Sequence, residues 1–345
     1  MTSKERVNAA LRGKGADRVP MFLWYSAKTV QNLAEYLGIR EDEVDDALHN
    51  DIKQDWLSIN RQMTVPCEDG KTFVDEWGIT WKRDGEYNTA IRHPLAEADA
   101  EEIKKYPFPA ADLPSRYDGT ARLMRKYPDH FIGADVSGSL FEPGYHLRGM
   151  ENLLVDMMTE SEEADVLLDR LKAFTEETAT RALQMGCDWI WLGDDFGTQQ
   201  NMIASPEIWR KYLKPRYAEI IAALRKIRSD IPVAFHSGGS IRPIIGDLQE
   251  IGVTVLNPIQ ESAAGMSHEQ IRREFPDLTM FCGLDTQQYL VHASPGEVYE
   301  RALREIELLG KHGKYIYGCS HTIQHDVPPE NILALVKAGL DYGKV

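Results

Sequence analysis

The sequence has few of the features that define a secreted, membrane-bound or nucleic-acid-binding protein. Only four cysteines occur in 345 residues, and no two of them form a CxxC pair. A disulfide framework is therefore excluded, which leaves free thiols or one metal ligand among them. No run of 18 apolar residues occurs, and the opening segment MTSKERVNAALRGKG forms a charged amphipathic helix without the apolar stretch of a signal peptide. We therefore expect a cytoplasmic protein.

Basic side chains are also scarce, because 39 Lys and Arg oppose 54 Asp and Glu and leave a formal net charge of −15. The negative electrostatic potential of such a charge repels nucleic acid and anionic membrane surfaces, so neither is an expected partner. The hydrophobic content of 43% is enough for one large core. We expect a single domain over residues 1–345, with N-terminal decorations and the first strand over about 1–110 and regular βα units over about 130–345.

Short apolar runs alternate with helical patterns in the second half of the chain, as βα units require. No glycine-rich nucleotide loop opens the first unit, which favours a barrel over a doubly wound open sheet. The predicted fold class is α/β, a (β/α)8 TIM barrel with helical and hairpin decorations, its eighth strand lying between residues 51 and 103. The other predicted strands are VPMFLWY, HFIGADVS, CDWIWLGDD, IPVAFHSG, VTVLNPIQ, LTMFCGLDT and KYIYGCSH, and the main predicted helices are 161–185, 206–227, 241–251, 295–309 and 329–342.

Polar residues follow the apolar part of the late strands, and barrel enzymes build their sites from those carboxyl ends. Asp194, Asp195 and His321 are the predicted catalytic residues. The alternative for the aspartates is that they cap the following helices. His236 precedes a Ser-Gly-Gly-Ser loop that leaves room for a metal, a substrate or an anion, and the alternative is a buried structural histidine.

Two of the strand-end residues suggest a metal site. His236, Cys319 and a carboxylate of Asp194 or Asp195 would offer the nitrogen, sulfur and oxygen ligands that zinc accepts. Cys319 and His321 lie two residues apart and are expected to point the same way. The alternative for Cys319 is a small buried apolar residue.

Aromatic residues gather near the predicted barrel mouth. Half or more of them are expected to be core, and the rest would sandwich a planar substrate. The aromatic group is Phe22, Trp24, Tyr25, Trp56, Trp77 and Trp81, and the predicted substrate-binding residues are Trp24, Tyr25, Phe196, Gln199, Asn257 and Asp285.

Over nearly the whole chain the sequence resembles the uroporphyrinogen decarboxylase superfamily, and within it the methyltransferase-like branch of corrinoid-dependent methyltransferases and O-demethylases. The segments that carry this resemblance are ERVNAALRGKGADRVP, FVDEWGITW, LFEPGYHLRGMENLLVDM, DDFGTQQNMIASPEIWRKYLKPRY, FHSGGSIRPIIGDLQEIGVTVLNPIQ, FCGLDTQQ and SHTIQHDVPPENI. The resemblance implies a methyltransferase that moves a methyl group from a small donor, such as a methoxylated aromatic compound, to a corrinoid. The sequence has no Asp-x-His-x-x-Gly cobalamin signature, so the corrinoid is expected on a partner protein.

The sequence departs from that family at two places. The decarboxylase proper grips carboxylates with paired arginines after the first strand, whereas MFLWYSAKTV has only Lys28 there. Thiol-methylating members hold zinc through a His-x-Cys pair and a distant cysteine. His236 and Cys319 match two of these ligands, but Gly238 replaces the third. In the resulting hypothesis, zinc held by His236 and Cys319 polarises an ether oxygen, and His321 or Asp194 protonates the departing phenolate.

Three alternatives stay open at this level. The chain could be a decarboxylase or lyase of a cyclic carboxylic acid, or a methylcobamide:thiol methyltransferase. It could also be a barrel that binds without catalysis. A homodimer is compatible with each of these functions, and the sequence does not choose the substrate.

Overall fold

The computed structural model describes residues 1–311 and 313–342, so the predicted domain range up to residue 345 extends beyond the described residues. Its main sheet has seven parallel strands in the order β1-β5-β6-β7-β8-β9-β10. These strands are β1 (Ile52–Trp56), β5 (Phe131–Asp135), β6 (Trp189–Gly193), β7 (Val233–His236), β8 (Val255–Asn257), β9 (Thr279–Leu284) and β10 (Tyr315–Cys319). β1 is the eighth strand that we expected between residues 51 and 103.

The two edges of this sheet meet through residues 20–25, which we call the closing segment. Phe22 N–H donates to the Tyr317 carbonyl at 2.9 Å, and Tyr317 N–H donates to the Pro20 carbonyl at 2.9 Å. On the other side, Asp51 N–H donates to the Met21 carbonyl at 2.8 Å. The closing segment therefore takes the place of a strand between β10 and β1, and the fold is the predicted TIM barrel.

The decoration predicted as a hairpin is a small antiparallel sheet of β2 (Thr72–Val74), β3 (Thr80–Asp84) and β4 (Tyr87–Arg92). Asp84 pairs with Tyr87, so the turn between β3 and β4 consists of Gly85 and Glu86. Gly85 has a φ of +63°, a conformation that glycine adopts without steric cost. This sheet lies beside the loop after β10, where His325 Nδ1 is 2.7 Å from Glu86 Oε1.

The helices cover the outside of the barrel. In chain order they are α1 (Ser3–Leu11), α2 (Ala27–Leu37), α3 (Glu41–Ala47), α4 (Ala100–Lys105), α5 (Asp118–Lys126), α6 (Phe141–Arg148), α7 (Met150–Thr159), α8 (Glu162–Met185), α9 (Pro206–Tyr212), α10 (Lys214–Ile227), α11 (Ile245–Ile251), α12 (His268–Glu274), α13 (Tyr289–His292), α14 (Pro295–Gly310) and α15 (Pro329–Asp341). Short 3-10 helices span Ile59–Thr64, Pro114–Tyr117 and Arg242–Ile244. None of the helices in the described part of the chain has the length and apolar character needed to cross a membrane.

Local sequence signals explain where several helices begin and end. Ser294 and Glu297 form a reciprocal capping box around the start of α14, and Pro295 occupies its first turn. Gly186, with a φ of +105°, ends α8 directly before β6. The single helix predicted over 206–227 is divided at Leu213, because Pro215 in the first turn of α10 has no N–H to continue the hydrogen bonding of α9.

Side chains on the two faces of the barrel wall form two apolar clusters. The inner cluster fills the barrel and contains Val7, Phe22, Ile52, Phe131, Trp189, Trp191, Ala234, Val255, Phe281 and Ile316. The much larger outer cluster lies between the strands and the helices. Because alternate strand residues face opposite sides, membership of these clusters shows which strand-end residues face the interior.

Candidate active site

The carboxyl end of the barrel, which we call the mouth, receives the side chains that continue the inner face of each strand. On β6, Trp189 and Trp191 belong to the inner cluster, whereas Ile190 and Leu192 belong to the outer one. The same alternation places His236 of β7 and Asn257 of β8 on the inner face. The mouth therefore begins directly above the aromatic side chains of the inner cluster.

His236 is held in one orientation by Asn257. The Asn257 amide nitrogen donates to the Phe281 carbonyl at 3.1 Å, which turns its oxygen towards His236 Nδ1 at 2.8 Å. Because an amide oxygen only accepts, the network places an imidazole hydrogen on Nδ1. The ring also stacks on Trp191, with 6.3 Å between centroids and 27° between planes. His236 thus presents its other nitrogen, Nε2, to the mouth.

Asp195 lies next to that nitrogen. His236 Nε2 is 3.5 Å from Asp195 Oδ1, and the same oxygen accepts a hydrogen bond from the Gly238 N–H at 2.7 Å. The Asp195 side chain is 45% exposed, so a ligand in the mouth can reach it. The structure brings these two predicted residues together.

His321 enters the mouth from the loop after β10. Its ring centroid lies 6.0 Å from that of His236. Solvent reaches the ring, but surrounding protein displaces enough water to lower its pKa, and the nearby His236 lowers it further. The loop is anchored on both sides, since Ser26 N–H donates to the Ile323 carbonyl at 3.0 Å and Gln324 bonds the Tyr87 hydroxyl. Near neutral pH His321 is therefore an uncharged imidazole on a fixed loop.

Aromatic rings form the floor of the mouth. Trp24 is half-buried and meets Phe22, Trp191 and Phe281 edge to face, with centroid distances of 5.3, 5.6 and 5.3 Å. Trp56 is also half-buried, whereas Trp77 and Trp81 are fully buried in the outer cluster. The expectation that half or more of the aromatic group is core packing is consistent with this placement.

Asp194 faces away from the mouth. Its carboxylate is fully buried and accepts the backbone N–H groups of Leu140, Phe141 and Glu142 at 2.9–3.3 Å, together with the Tyr217 hydroxyl. Burial raises its pKa to about 6, although these hydrogen bonds oppose the increase. Its oxygens are occupied at the start of α6, so Asp194 caps a helix that precedes β6 in the chain and not the following helix of the capping alternative. This is not the geometry of a catalytic group.

Cys319 also faces away from the mouth. It belongs to the outer cluster with Tyr317, whose hydroxyl donates to the Leu335 carbonyl on α15 at 3.2 Å. Burial raises the pKa of the Cys319 thiol. The sequence-based expectation that Cys319 and His321 share a face is wrong, because the strand ends at Cys319 and the following loop redirects His321 into the mouth.

This geometry does not fit a zinc site built on His236 and Cys319. His236 faces the barrel interior and Cys319 faces the helices, so the pair is not assembled. A Cβ at Gly238 would lie 3.3 Å from Asp195 Oδ1. The Asp195 carboxylate therefore lies directly beside the space that a cysteine side chain at position 238 would enter. The mouth therefore offers an imidazole and a carboxylate in place of two thiolates and an imidazole.

The predicted substrate-binding residues are also divided, because only some of them lie in the mouth. Trp24 and Asn257 belong to the mouth, but Tyr25 donates to Asp45 at 2.7 Å and Phe196 packs on Phe141, Trp209 and Phe235 in the outer layer. Gln199 is exposed on the loop after β6. Asp285 accepts the Gln288 and Tyr289 N–H groups at 2.7 and 3.2 Å, which caps α13.

Two carboxyl groups of the mouth were missed by the sequence analysis. Asp135 ends β5 on the inner face and accepts from Ser137 and from Gln54 at 2.9 Å, and burial raises its pKa to about 6. A polar residue after an apolar strand was the available signal. Glu142 lies in the first turn of α6, where an acidic residue ordinarily complements the helix dipole, so its sequence position gave no signal.

The closing segment and the seven strands place no lysine or arginine on the inner face to balance these acids, and Lys28, which follows the closing segment, is exposed in the first turn of α2. Lys53 is the only Lys or Arg in the closing segment or the seven barrel strands, and its ammonium faces outwards to Asp45 and Asp46 at β1. Two of the first cations in the following loops, Arg61 and Arg242, are paired with Glu76 and Glu274. A bound polyanion would therefore find no positive partner on the inner face.

A separate cluster of ligand-type side chains lies in the outer layer. Among residues 1–311 and 313–342, His268, Cys282 and Glu305 are the one group of three whose ligand atoms all lie within 4.8 Å of one another. His268 Nε2 lies 2.6 Å from the Ile259 carbonyl, and Nδ1 contacts Glu305. Burial opposes the charge on His268, but Cys282 and Glu305 outweigh it and raise its pKa. These contacts describe an imidazolium that donates from Nε2 to the Ile259 carbonyl and forms an ion pair with Glu305, so that the cluster joins α12, β9 and α14.

A barrel with ionisable side chains at the carboxyl ends of its strands is the architecture of a TIM-barrel enzyme. The family model described as "Uroporphyrinogen decarboxylase (URO-D)" matches residues 78–342, and the chain belongs to this family. It is 24% identical to a uroporphyrinogen decarboxylase of Anaeromyxobacter sp. (strain Fw109-5), over 74% of this chain and 72% of that protein. It is 20% identical to the corresponding protein of Legionella pneumophila (strain Lens), over 95% and 94% of the two chains.

Among solved structures, the chain is similar to a methyltransferase from Methanosarcina mazei. The TM-score is 0.72, with 16% identity over 99% of both chains. At this identity the similarity establishes a common fold.

Proposed function

We propose that the chain is a methyltransferase of the uroporphyrinogen decarboxylase family. It moves a methyl group from a small uncharged donor, such as a methoxylated aromatic ring, to a corrinoid carried by a partner protein. The observation that carries this proposal is the composition of the mouth, which has acids and imidazoles above an aromatic floor and no inward-facing cation. The fold shared with a protein named a methyltransferase supports the same direction.

The aromatic floor suits a planar donor. The half-buried Trp24 and the Trp191 ring offer apolar surface, and Asp195 and His236 stand at the rim. Aromatic contacts of this kind contribute about 0.5–1.5 kcal/mol beyond the area buried. A planar donor bound there would lie between the aromatic floor and the open side of the mouth, from which a docked partner could present the methyl acceptor.

The lack of inward-facing lysine and arginine argues against uroporphyrinogen, the tetrapyrrole after which the family is named, as the substrate. Uroporphyrinogen carries many carboxylates, and each one buried without a partner costs several kcal/mol. The zinc predicted from the resemblance is not part of the proposal, because Gly238 and the outward-facing Cys319 do not supply its thiolates. The same observation disfavours a thiol methyltransferase that activates its thiol on zinc.

The proposal is tested by anaerobic assay of the purified chain with free cob(I)alamin as the acceptor. Guaiacol and vanillate form a matched pair of donors, one neutral and one anionic near pH 7. We expect conversion of the cob(I)alamin spectrum to that of methylcobalamin, release of the demethylated phenol, and faster reaction with guaiacol. A chain that transfers no methyl group from either donor would overturn the proposal.

A second candidate is a decarboxylase of a small cyclic acid. The buried carboxyl groups of Asp135 and Glu142 favour it, because loss of carbon dioxide leaves a carbanion that needs a proton. Release of labelled carbon dioxide from cyclic carboxylic acids, in the absence of any corrinoid, would establish this reaction in place of methyl transfer.

A further inference from the structure

Glu142 is a buried carboxyl group beside the mouth. It lies in the first turn of α6, and the residue is 7% exposed. Its Oε2 accepts from the Asn60 amide nitrogen at 3.0 Å, and its Oε1 lies 3.4 Å from the Tyr145 hydroxyl. Neither partner is charged, so nothing that bonds to this carboxyl compensates a negative charge.

The titratable side chains that surround Glu142 are carboxyl groups and tyrosines. Asp195 and Asp194 lie near it at the end of β6, Tyr145 faces it from α6, and Tyr217 lies beyond Asp194 on α10. Burial, followed by repulsion from Asp195 and Asp194, raises the pKa of Glu142 well above its usual value.

An unpaired acceptor gives independent evidence for the proton. Asn60 Oδ1 is buried and has no hydrogen-bond donor, although the Asn60 nitrogen bonds to Glu142. A protonated Glu142 has the O–H that this oxygen lacks, and an acid and an amide commonly pair in that way. A buried acceptor left without a donor costs about 1–3 kcal/mol, and a hydroxyl on Glu142 would bring a donor to the side chain that already bonds Asn60.

From these contacts we infer that Glu142 is the general acid of the reaction, delivering its proton to the donor oxygen as the methyl group leaves. This inference rests on the proposed function. The reduced corrinoid supplies the electron pair that forms the new bond to the methyl carbon, and the carbon–oxygen pair passes to the oxygen. The Glu142 proton then converts that oxygen to a neutral hydroxyl, and water restores the proton to the carboxylate.

This role follows from the side chains that the mouth offers to a bound substrate. An aryl ether is a poor leaving group unless its oxygen is protonated or bound to a Lewis acid. The thiolate ligands of a zinc site are not assembled here, whereas Glu142 lies close enough to Asp195 for the two carboxyl groups to repel each other. A proton on Glu142 would therefore perform the task that the resemblance assigns to the metal.

The test compares Glu142→Gln with Glu151→Gln, an exposed residue of α7. Gln keeps the shape of Glu and its side-chain oxygen can still accept from the Asn60 amide nitrogen, so the fold should be retained. With guaiacol we expect a loss of about 10²- to 10⁴-fold in Glu142→Gln and no change in the control. With 4-nitroanisole, whose phenolate leaves without a proton, the loss should shrink to less than about tenfold. An equal loss with both donors would overturn the role of Glu142, whereas a wild type inactive with both would overturn the proposed function.

A second measurement does not depend on turnover. The infrared difference spectrum between the wild type and Glu142→Gln at pH 7 should contain the carbonyl stretch of a protonated carboxyl group. A carboxylate band in its place would overturn the inference, even if the enzyme transfers methyl groups.

Discussion

Asp194 and Asp195 are neighbours in the chain, but the pleat of the strand sends their side chains to opposite faces of the barrel wall. The outward Asp194 is fully buried and holds the start of α6, whereas Asp195 is 45% exposed beside His236. The two faces also separate His236 in the mouth from His268 in the outer layer. The comparison shows that the same residue type has different roles on the two faces of the barrel wall. On the inner face it contributes to the candidate active site, and on the outer face it stabilises the fold.

The largest effect should come from the inner face. His236→Ala removes the imidazole whose free nitrogen faces Asp195, and we expect methyl transfer to fall by about 10²- to 10⁴-fold. The free energy of unfolding should fall by about 1–3 kcal/mol, because the buried Asn257 oxygen loses its donor while Asp195 keeps the Gly238 N–H. Transfer to cob(I)alamin measures the first effect, and His292→Ala, an exposed residue of α13, is the control. An unchanged rate would remove His236 from the site.

The outer face should respond in stability. Glu305→Gln breaks a buried ion pair whose side chains are 2% and 4% exposed, and we expect the free energy of unfolding to fall by about 3–5 kcal/mol. Urea unfolding measures this loss, with Glu300→Gln on the exposed side of α14 as the control. The rate per folded molecule should stay at the wild-type value. A selective loss of rate would place this cluster in the catalytic machinery.

The same pair predicts a pH dependence. The pKa of His268 is raised in the folded chain, so the folded state binds the proton more tightly than the unfolded state. Its contribution to stability is fully present below about pH 6.5, the usual histidine pKa, and is lost as the pH rises through the raised value. Urea unfolding between pH 6 and 9 should therefore show a steeper decline in the wild type than in Glu305→Gln. Parallel curves would show that His268 is neutral in the folded chain.

Asp194→Asn tests the strand-end pair directly. Asn keeps one acceptor oxygen but places an amide nitrogen against backbone N–H donors at the start of α6, so we expect a loss of about 2 kcal/mol in stability. Asp230→Asn, at an exposed position before β7, should change nothing measurable. Activity per folded molecule should fall only if the substitution displaces α6 and, with it, Glu142. Full stability with a large loss of rate would restore Asp194 as a catalytic candidate.

The barrel was predictable because its signals are local. Apolar runs such as WIWLG and VAFH each form a strand, and β1 lies in the stretch left for it. The polar strand ends were also visible, and His236 and Asp195 meet there. What the sequence did not reveal was the face of each side chain, since one residue of register decides between mouth and outer layer.

Glu142 and His268 were hidden for a different reason. Each depends on a contact between elements far apart in the chain, Asn60 with Glu142 and Glu305 with His268. No local spacing encodes such contacts. The course of the loop after β10 likewise had to be seen in three dimensions before His321 could be separated from Cys319.

The smallest effect should belong to Cys319. Cys319→Ala removes one buried sulfur from the outer cluster, and we expect about 1 kcal/mol of lost stability with unchanged zinc content and methyl transfer. Cys187→Ala is the matched control, because Cys187 is also a buried thiol of that cluster, directly before β6. Metal analysis, urea unfolding and the cob(I)alamin assay should give the same result for both variants. Loss of one equivalent of zinc from Cys319→Ala alone would mean that this thiol reaches the mouth, and the division between the two faces would fail at β10.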